Sequence, residues 1–141
     1  LIALLDRPIR VCGMVRNHGE LGGGPFWVQG NERVSLQIGE ASEIAESQIS
    51  IMRTATHFNP VDLVCGLRNW RGEAFVLDNF ADHSAVFVSE KYHEGRPLIA
   101  LERPGLWNGG MARWLTIFVD VPSATFAPVK TVFDLLRPEH Q

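Results

Sequence analysis

Glycine and proline cut this chain into short apolar runs, and none approaches the ~20 consecutive apolar residues that a membrane span needs. Runs of this length build sheet. Residues 10–15 are apolar and rich in β-formers, the pattern of a buried strand. A polar, glycine-rich loop follows over 16–25. After it, 26–28, a Gly30-Asn31 turn and 33–38 read as a hairpin. Its second arm alternates, with Val34, Leu36 and Ile38 on one face and Arg33, Ser35 and Gln37 on the other, so one face meets a core. Residues 60–67 read as another buried strand, with 74–77 as a short partner beyond a turn at 69–72. Residues 85–88 and 98–101 read as strands around Glu94-Gly95. Over 115–121 the alternation returns and points Leu115, Ile117, Val119 and Val121 one way.

Helices are fewer. The clearest spans 42–55, with Ser42 as cap, Glu43 in the first turn and Ile44, Ile51, Met52 and Ala55 as an apolar stripe. Shorter ones are expected over 106–114 and 131–136, the second stopped before Pro138. No repeat, low-complexity tract or linker divides the 141 residues, which read as one unit of α/β class with strands outnumbering helices. The chain opens on Leu1 and runs almost at once into a strand, which gives the expectation of a fragment, the C-terminal piece of something longer.

With 45% hydrophobic and 21% charged residues, the composition is that of a globular domain and argues against disorder. A net charge of −3 leaves no electrostatic footprint for nucleic acid or an anionic membrane as main partner. Cys12 and Cys65 each sit in an apolar run, as buried thiols of a reducing compartment do. Residues 1–5 are apolar but lack the basic flank and cleavage site of a signal peptide. A cytoplasmic location is the expectation.

Four segments gather residues with chemical potential. The first is the loop from Asn17 and His18 to Pro25, where Gly22, Gly23 and Gly24 are consecutive. Glycines in series suit a backbone that must approach something closely, as much as they suit an ordinary turn. The loop is neither a Walker phosphate loop nor a Rossmann fingerprint, since no Gly-Lys-Ser/Thr is present and a strand follows. Second, Thr56, His57 and Asn59 stand where a helix hands over to a buried strand. The Asn59 amide can bond a hydroxyl-rich ligand in both directions, or simply start a turn. Third, Glu102 ends an apolar strand, where its carboxylate can accept two sugar hydroxyls or pair with Arg103 or Arg113.

The fourth segment runs from Phe126 to Leu136. Only two lysines occur in the chain, Lys91 and Lys130, and Lys130 stands among apolar neighbours at an expected helix start. A cation reaching phosphates explains that placement, as does a stem packed on the sheet with its ammonium in water. The five histidines are scattered and neither cysteine has a second thiol at metal spacing, so these residues indicate no metal site.

In order, these segments resemble the second half of the UDP-sugar pyrophosphorylase type of nucleotidyltransferase. Phe126-Ala127-Pro128-Val129-Lys130, continuing to Asp134-Leu135-Leu136, is similar to that family's Phe-x-Pro-Val-Lys…Asp-Leu-Leu segment, whose lysine contacts the reacting phosphates. Gly22-Gly23-Gly24-Pro25-Phe26 resembles its Lys-Gly-Gly-Thr-Leu segment at the sugar site, with Gly22 in place of the lysine. Phe58-Asn59-Pro60-Val61-Asp62 resembles its Phe-Asn-Thr-Asn-Asn segment, with Asp62 in place of an asparagine. Leu101-Glu102 matches its Leu-Glu-Thr. Residues 10–17 together with Pro128-Val129-Lys130 also resemble a bacterial family of unknown function that is grouped with the nucleotidyltransferases.

The resemblance implies the C-terminal half of a nucleotide-diphospho-sugar transferase-like domain, a mixed sheet flanked by helices. It implies nucleotidyl transfer from a nucleoside triphosphate to a sugar phosphate in the full-length protein. Lys130 would be the catalytic cation, and Gly22, Gly23, Gly24, Asn59, Glu102 and His18 would hold the sugar phosphate. Magnesium is implied as cofactor, with its ligands upstream of this chain, so that the segment alone would be inactive. A non-catalytic sugar- or nucleotide-binding module and a structural or interaction domain are the alternatives.

Overall fold

The computed structural model describes residues 2–19, 22–30, 34–129 and 131–141. Strands dominate a mixed α/β architecture. A three-stranded sheet has β1 (Ile9–Arg16) at its centre, with β4 (His57–Gly66) antiparallel on one side and β7 (Leu115–Asp120) parallel on the other. Two separate hairpins accompany it: β2 (Gly24–Gln29) with β3 (Val34–Gly39), and β5 (Phe87–His93) with β6 (Arg96–Glu102). The second hairpin turns through Glu94 and Gly95 at φ 50° and 76°, the positive pair that a two-residue turn needs to match strand twist.

The sheet has a covered face and an open one. Cys12 is flanked across the sheet by Leu63 and Phe118. This row, with Met14, packs against Ile38 of the first hairpin to make the core. On the opposite face, Val11 is flanked by Val64 and Ile117, both largely exposed. The alternation of β7 is present: Ile117 and Val119 share the exposed face, while Phe118 between them meets the core. The hairpin lies over the Cys12 row, and Phe118 brings more apolar area to it than its β-branched neighbours would.

Arg10 is fully buried on β1. Its Nε donates to Thr116 Oγ1 at 3.0 Å and one terminal nitrogen donates to the carbonyls of Leu106 and Asn108 at 2.6 and 3.1 Å. These bonds tie the 103–110 segment to the sheet. Asn108 adds a turn of its own, accepting from the Gly105 and Gly110 amides at 2.9 Å each.

Helix is scarcer than the sequence pattern predicts. The helix expected over 42–55 is instead two 3₁₀ turns, Ala41–Glu43 and Glu46–Gln48, and a five-residue helix α2 (Ile49–Arg53), α1 being Ile2–Leu5. Ile44 and Ala45 are extended, and Ser47 and Gln48 interrupt the apolar stripe where a continuous helix needs it. The cap is Glu40, not Ser42: its amide donates to Glu43 Oε2 at 2.8 Å. Residues 74–77 contribute only an isolated bridge between Ala74 and Arg68, because the chain turns into a 3₁₀ segment, Leu77–Phe80. The helix expected over 106–114 is one 3₁₀ turn, Gly109–Met111, since the Arg10 bonds hold the carbonyls before it. Val132–Leu136 is a 3₁₀ turn, entered through a Thr131 amide bonded to Asp134 Oδ2 at 2.7 Å. Among the described residues, no helix is long and apolar enough to cross a membrane.

Candidate functional site

Where β1 and β7 run parallel, their carboxyl ends form one edge of the sheet, the position at which α/β sheets place ligands. The glycine loop leaves β1 there, and β4 begins beside it. The start of β4 is irregular. Met14 pairs with Pro60 and Arg16 with His57, so two steps on β1 face three on β4, and the surplus residue bulges at Phe58-Asn59. Pro60 lacks an amide proton, which suits this edge strand and loosens the ladder at the same point. Bulges re-aim side chains next to active sites. This one turns Asn59 toward the loop.

The loop receives it closely. A Cβ built on Gly22 would lie 2.5 Å from the Phe58 ring and 3.4 Å from Asn59 Nδ2. One on Gly23 would overlap Asn59 Oδ1 and the Gly39 carbonyl, and one on Gly24 would lie 2.8 Å from the His57 carbonyl. Only hydrogen fits at these three positions. Asn59 Oδ1 is buried and accepts no hydrogen bond. A buried acceptor without a donor costs about 1–3 kcal/mol, so the arrangement is one a ligand hydroxyl would relieve. Beside it, Asn17, Gly19, Gly22, Gly23 and residues 52, 53 and 55 line a cavity of about 280 Å³. His18 stands exposed in the same loop, between the lining residues Asn17 and Gly19.

Phe58 also stacks on Phe126, with ring centroids 5.6 Å apart. That contact brings the segment leading to Lys130 against the same edge. Lys130 itself lies outside the described residues, as do the Asn31 and Arg33 positions of the expected first hairpin.

Glu102 is engaged elsewhere. At the end of β6 it accepts from Ser89 Oγ at 2.8 Å and pairs with Lys91, and these two bonds hold its carboxyl below the usual carboxylate range. Its link to the loop is electrostatic and runs through Glu40, whose Cα borders Gly23. Burial, and then the charges of Glu43 and Glu102, push the Glu40 carboxyl above its ordinary value. The pairs with Arg103 or Arg113 considered for Glu102 are replaced by the cross-strand Lys91 and Ser89.

The same edge joins Thr56 and His57 to two residues that the sequence pattern does not single out, Arg16 and Asp120. Arg16, the last residue of β1, meets Asp120 Oδ2, the last of β7, at 3.1 Å. His57 Nε2 lies 3.7 Å from Asp120 Oδ1, and Thr56 Oγ1 lies 2.9 Å from His57 Nδ1. Asp120 ends an apolar strand just as Glu102 does, and that signal was present in the sequence. What the sequence lacks is the parallel pairing that sets Arg16 beside it.

Among the described residues no three His, Cys, Asp or Glu side chains gather to hold a metal ion, and the ligands of the magnesium that the resemblance implies are expected upstream of this chain. A family model described as a domain of unknown function, DUF4301, matches residues 1–141. No curated protein matches the chain.

Proposed function

The chain belongs to the DUF4301 family, and we propose that it forms the sugar-phosphate side of a nucleotidyl-transfer site in a nucleotide-diphospho-sugar transferase-like protein. One observation carries the reading. The bulge at the start of β4 turns Asn59 into the three-glycine loop and leaves its Oδ1 buried without a donor. A sugar hydroxyl supplies that donor, and the glycines let the ring approach the backbone. The order of the four segments along the chain, and the Phe58–Phe126 contact that draws the Lys130 segment to the same edge, support it.

In the proposed reaction a sugar phosphate oxygen attacks the α-phosphorus of a nucleoside triphosphate in line, the bond to the β-phosphate oxygen breaks, and pyrophosphate leaves. Bound magnesium would neutralise phosphate charge. Asn59 and the glycine backbone orient the sugar, and Lys130 stabilises the charge that spreads over the phosphate oxygens.

The test is pyrophosphate release by the full-length protein with a panel of nucleoside triphosphates and sugar 1-phosphates. Lys130→Ala is expected to lower kcat by about 100-fold. Asn59→Ala is expected to raise KM for the sugar phosphate about tenfold while leaving stability within about 1 kcal/mol, because the lost oxygen has no partner in the free protein. Turnover of Lys130→Ala within a few-fold of the parent removes that residue's role. Saturable binding of a nucleotide-sugar without metal and without turnover replaces the enzyme by a binding module.

A further inference from the structure

The hairpin face that buries Ile38 continues beyond the core. Pro25 pairs with Ile38, and two residues further along the same face Trp27 pairs with Leu36. Trp27 remains 74% exposed. Between this pair and the edge of the main sheet lies a cavity of about 620 Å³, within the range that small ligands occupy. Met14, Phe26, Ile51 and Phe118 give it apolar walls, and its polar lining gathers at Thr56, His57 and Asp120. It shares Ala55 with the smaller glycine-loop cavity and is otherwise separate from it.

The polar end has a defined hydrogen-bonding sense. A carboxylate beside His57 Nε2 favours the tautomer with its proton there, and Nδ1 then accepts from the Thr56 hydroxyl. Nε2 is thus a donor and Asp120 Oδ1 an acceptor, 3.7 Å apart and beyond direct hydrogen-bond reach of each other. Arg16 meets the other carboxylate oxygen in an exposed ion pair, which leaves Oδ1 open to the cavity. A donor next to an acceptor is complemented by a ring that carries an acceptor next to a donor, as a ring nitrogen beside an amino group does.

We propose that this cavity binds an amino-substituted nitrogen heteroaromatic ring of nucleoside size. Its face stacks on Trp27, its amino group donates to Asp120 Oδ1, and its ring nitrogen accepts from His57 Nε2. The proposal does not rest on the sugar-phosphate reading. Asn59→Ala, which tests that reading, leaves this binding unchanged.

The experiment titrates the full protein with adenosine, following tryptophan emission and heat. Purine riboside is the control, because it keeps the ring nitrogen but has no amino group to donate to Asp120. Saturable adenosine binding is expected, with purine riboside weaker by about tenfold or more. Trp27→Leu should remove the emission change and weaken binding about tenfold. Asp120→Ala should weaken it similarly. Arg16→Ala, which breaks the exposed ion pair but keeps the acceptor, should retain binding within about threefold. No saturation by adenosine at millimolar concentration overturns the proposal. So does equal affinity for purine riboside, or undiminished binding by Asp120→Ala. Binding of an apolar dye without binding of adenosine marks a non-specific groove and overturns it as well.

Discussion

Gly23 and Asn59 interlock: a methyl group on the glycine would occupy the space of the asparagine Oδ1. Neither stretch of chain by itself shows that the two residues meet. The contact exists because a bulge in β4 lifts Asn59 out of the ladder just where the loop leaving β1 passes.

Gly23→Ala should therefore be costly. Besides Asn59, the added carbon meets the Gly39 carbonyl and comes within 3.2 Å of the Glu40 Cα, and backbone of this kind cannot rotate aside. A loss of about 1–3 kcal/mol in urea unfolding is expected. An unchanged midpoint would mean that the loop does not close on Asn59 in solution.

Arg10 has its own signature. It is buried among carbonyls and a threonine hydroxyl, and burial pushes its guanidinium below the ordinary value against the opposing pull of Cys12 and Cys65. Arg10→Ala leaves a cavity and strands the Leu106 and Asn108 carbonyls, so a loss of about 3–5 kcal/mol is expected. Hydrogen exchange should show residues 103–110 opening before the strands do. Uniform exchange across both regions would contradict the tethering role.

Glu40 sets a pH dependence of definite sign. Its folded-state carboxyl titrates above the unfolded value, so between the two the folded protein holds more protons. This contribution is fully present below the unfolded pKa and is lost as pH rises through the folded one. Glu102, held low by Lys91 and Ser89, acts in the opposite sense at lower pH. Denaturation midpoints measured across the carboxylate range should fall with pH in the upper part, and Glu40→Gln should flatten that fall. A fall of the same size in Glu40→Gln would assign it to another group.

What was readable in the sequence was what local chemistry decides. Alternation over Val34, Leu36 and Ile38 and the Glu94-Gly95 turn specify their hairpins within a few residues, and both are present. The segment at 42–55 had good helix ends but polar Ser47 and Gln48 in its stripe, and tertiary contacts settled it as separate turns. The facing of β7 needed to know which side the first hairpin covers. Gly22, Gly23, Gly24 and Asn59 were identified one by one, but their meeting depends on strand register, which no local pattern carries. Asp120 stayed hidden for the same reason, since its importance comes from a strand about a hundred positions earlier.

The placement of β1 at the centre of its sheet also orders events during synthesis. β1 leaves the ribosome before either neighbour, and β4 can pair with it by a comparatively short closure. Its other edge pairs Ile9 with Leu115, so that pairing waits for about a hundred further residues. Long closures slow folding, and an unpaired strand edge invites wrong partners while it waits. Of the two pairings of β1 the parallel one has the longer closure, and truncation before Leu115 is expected to leave a chain prone to aggregate through β1.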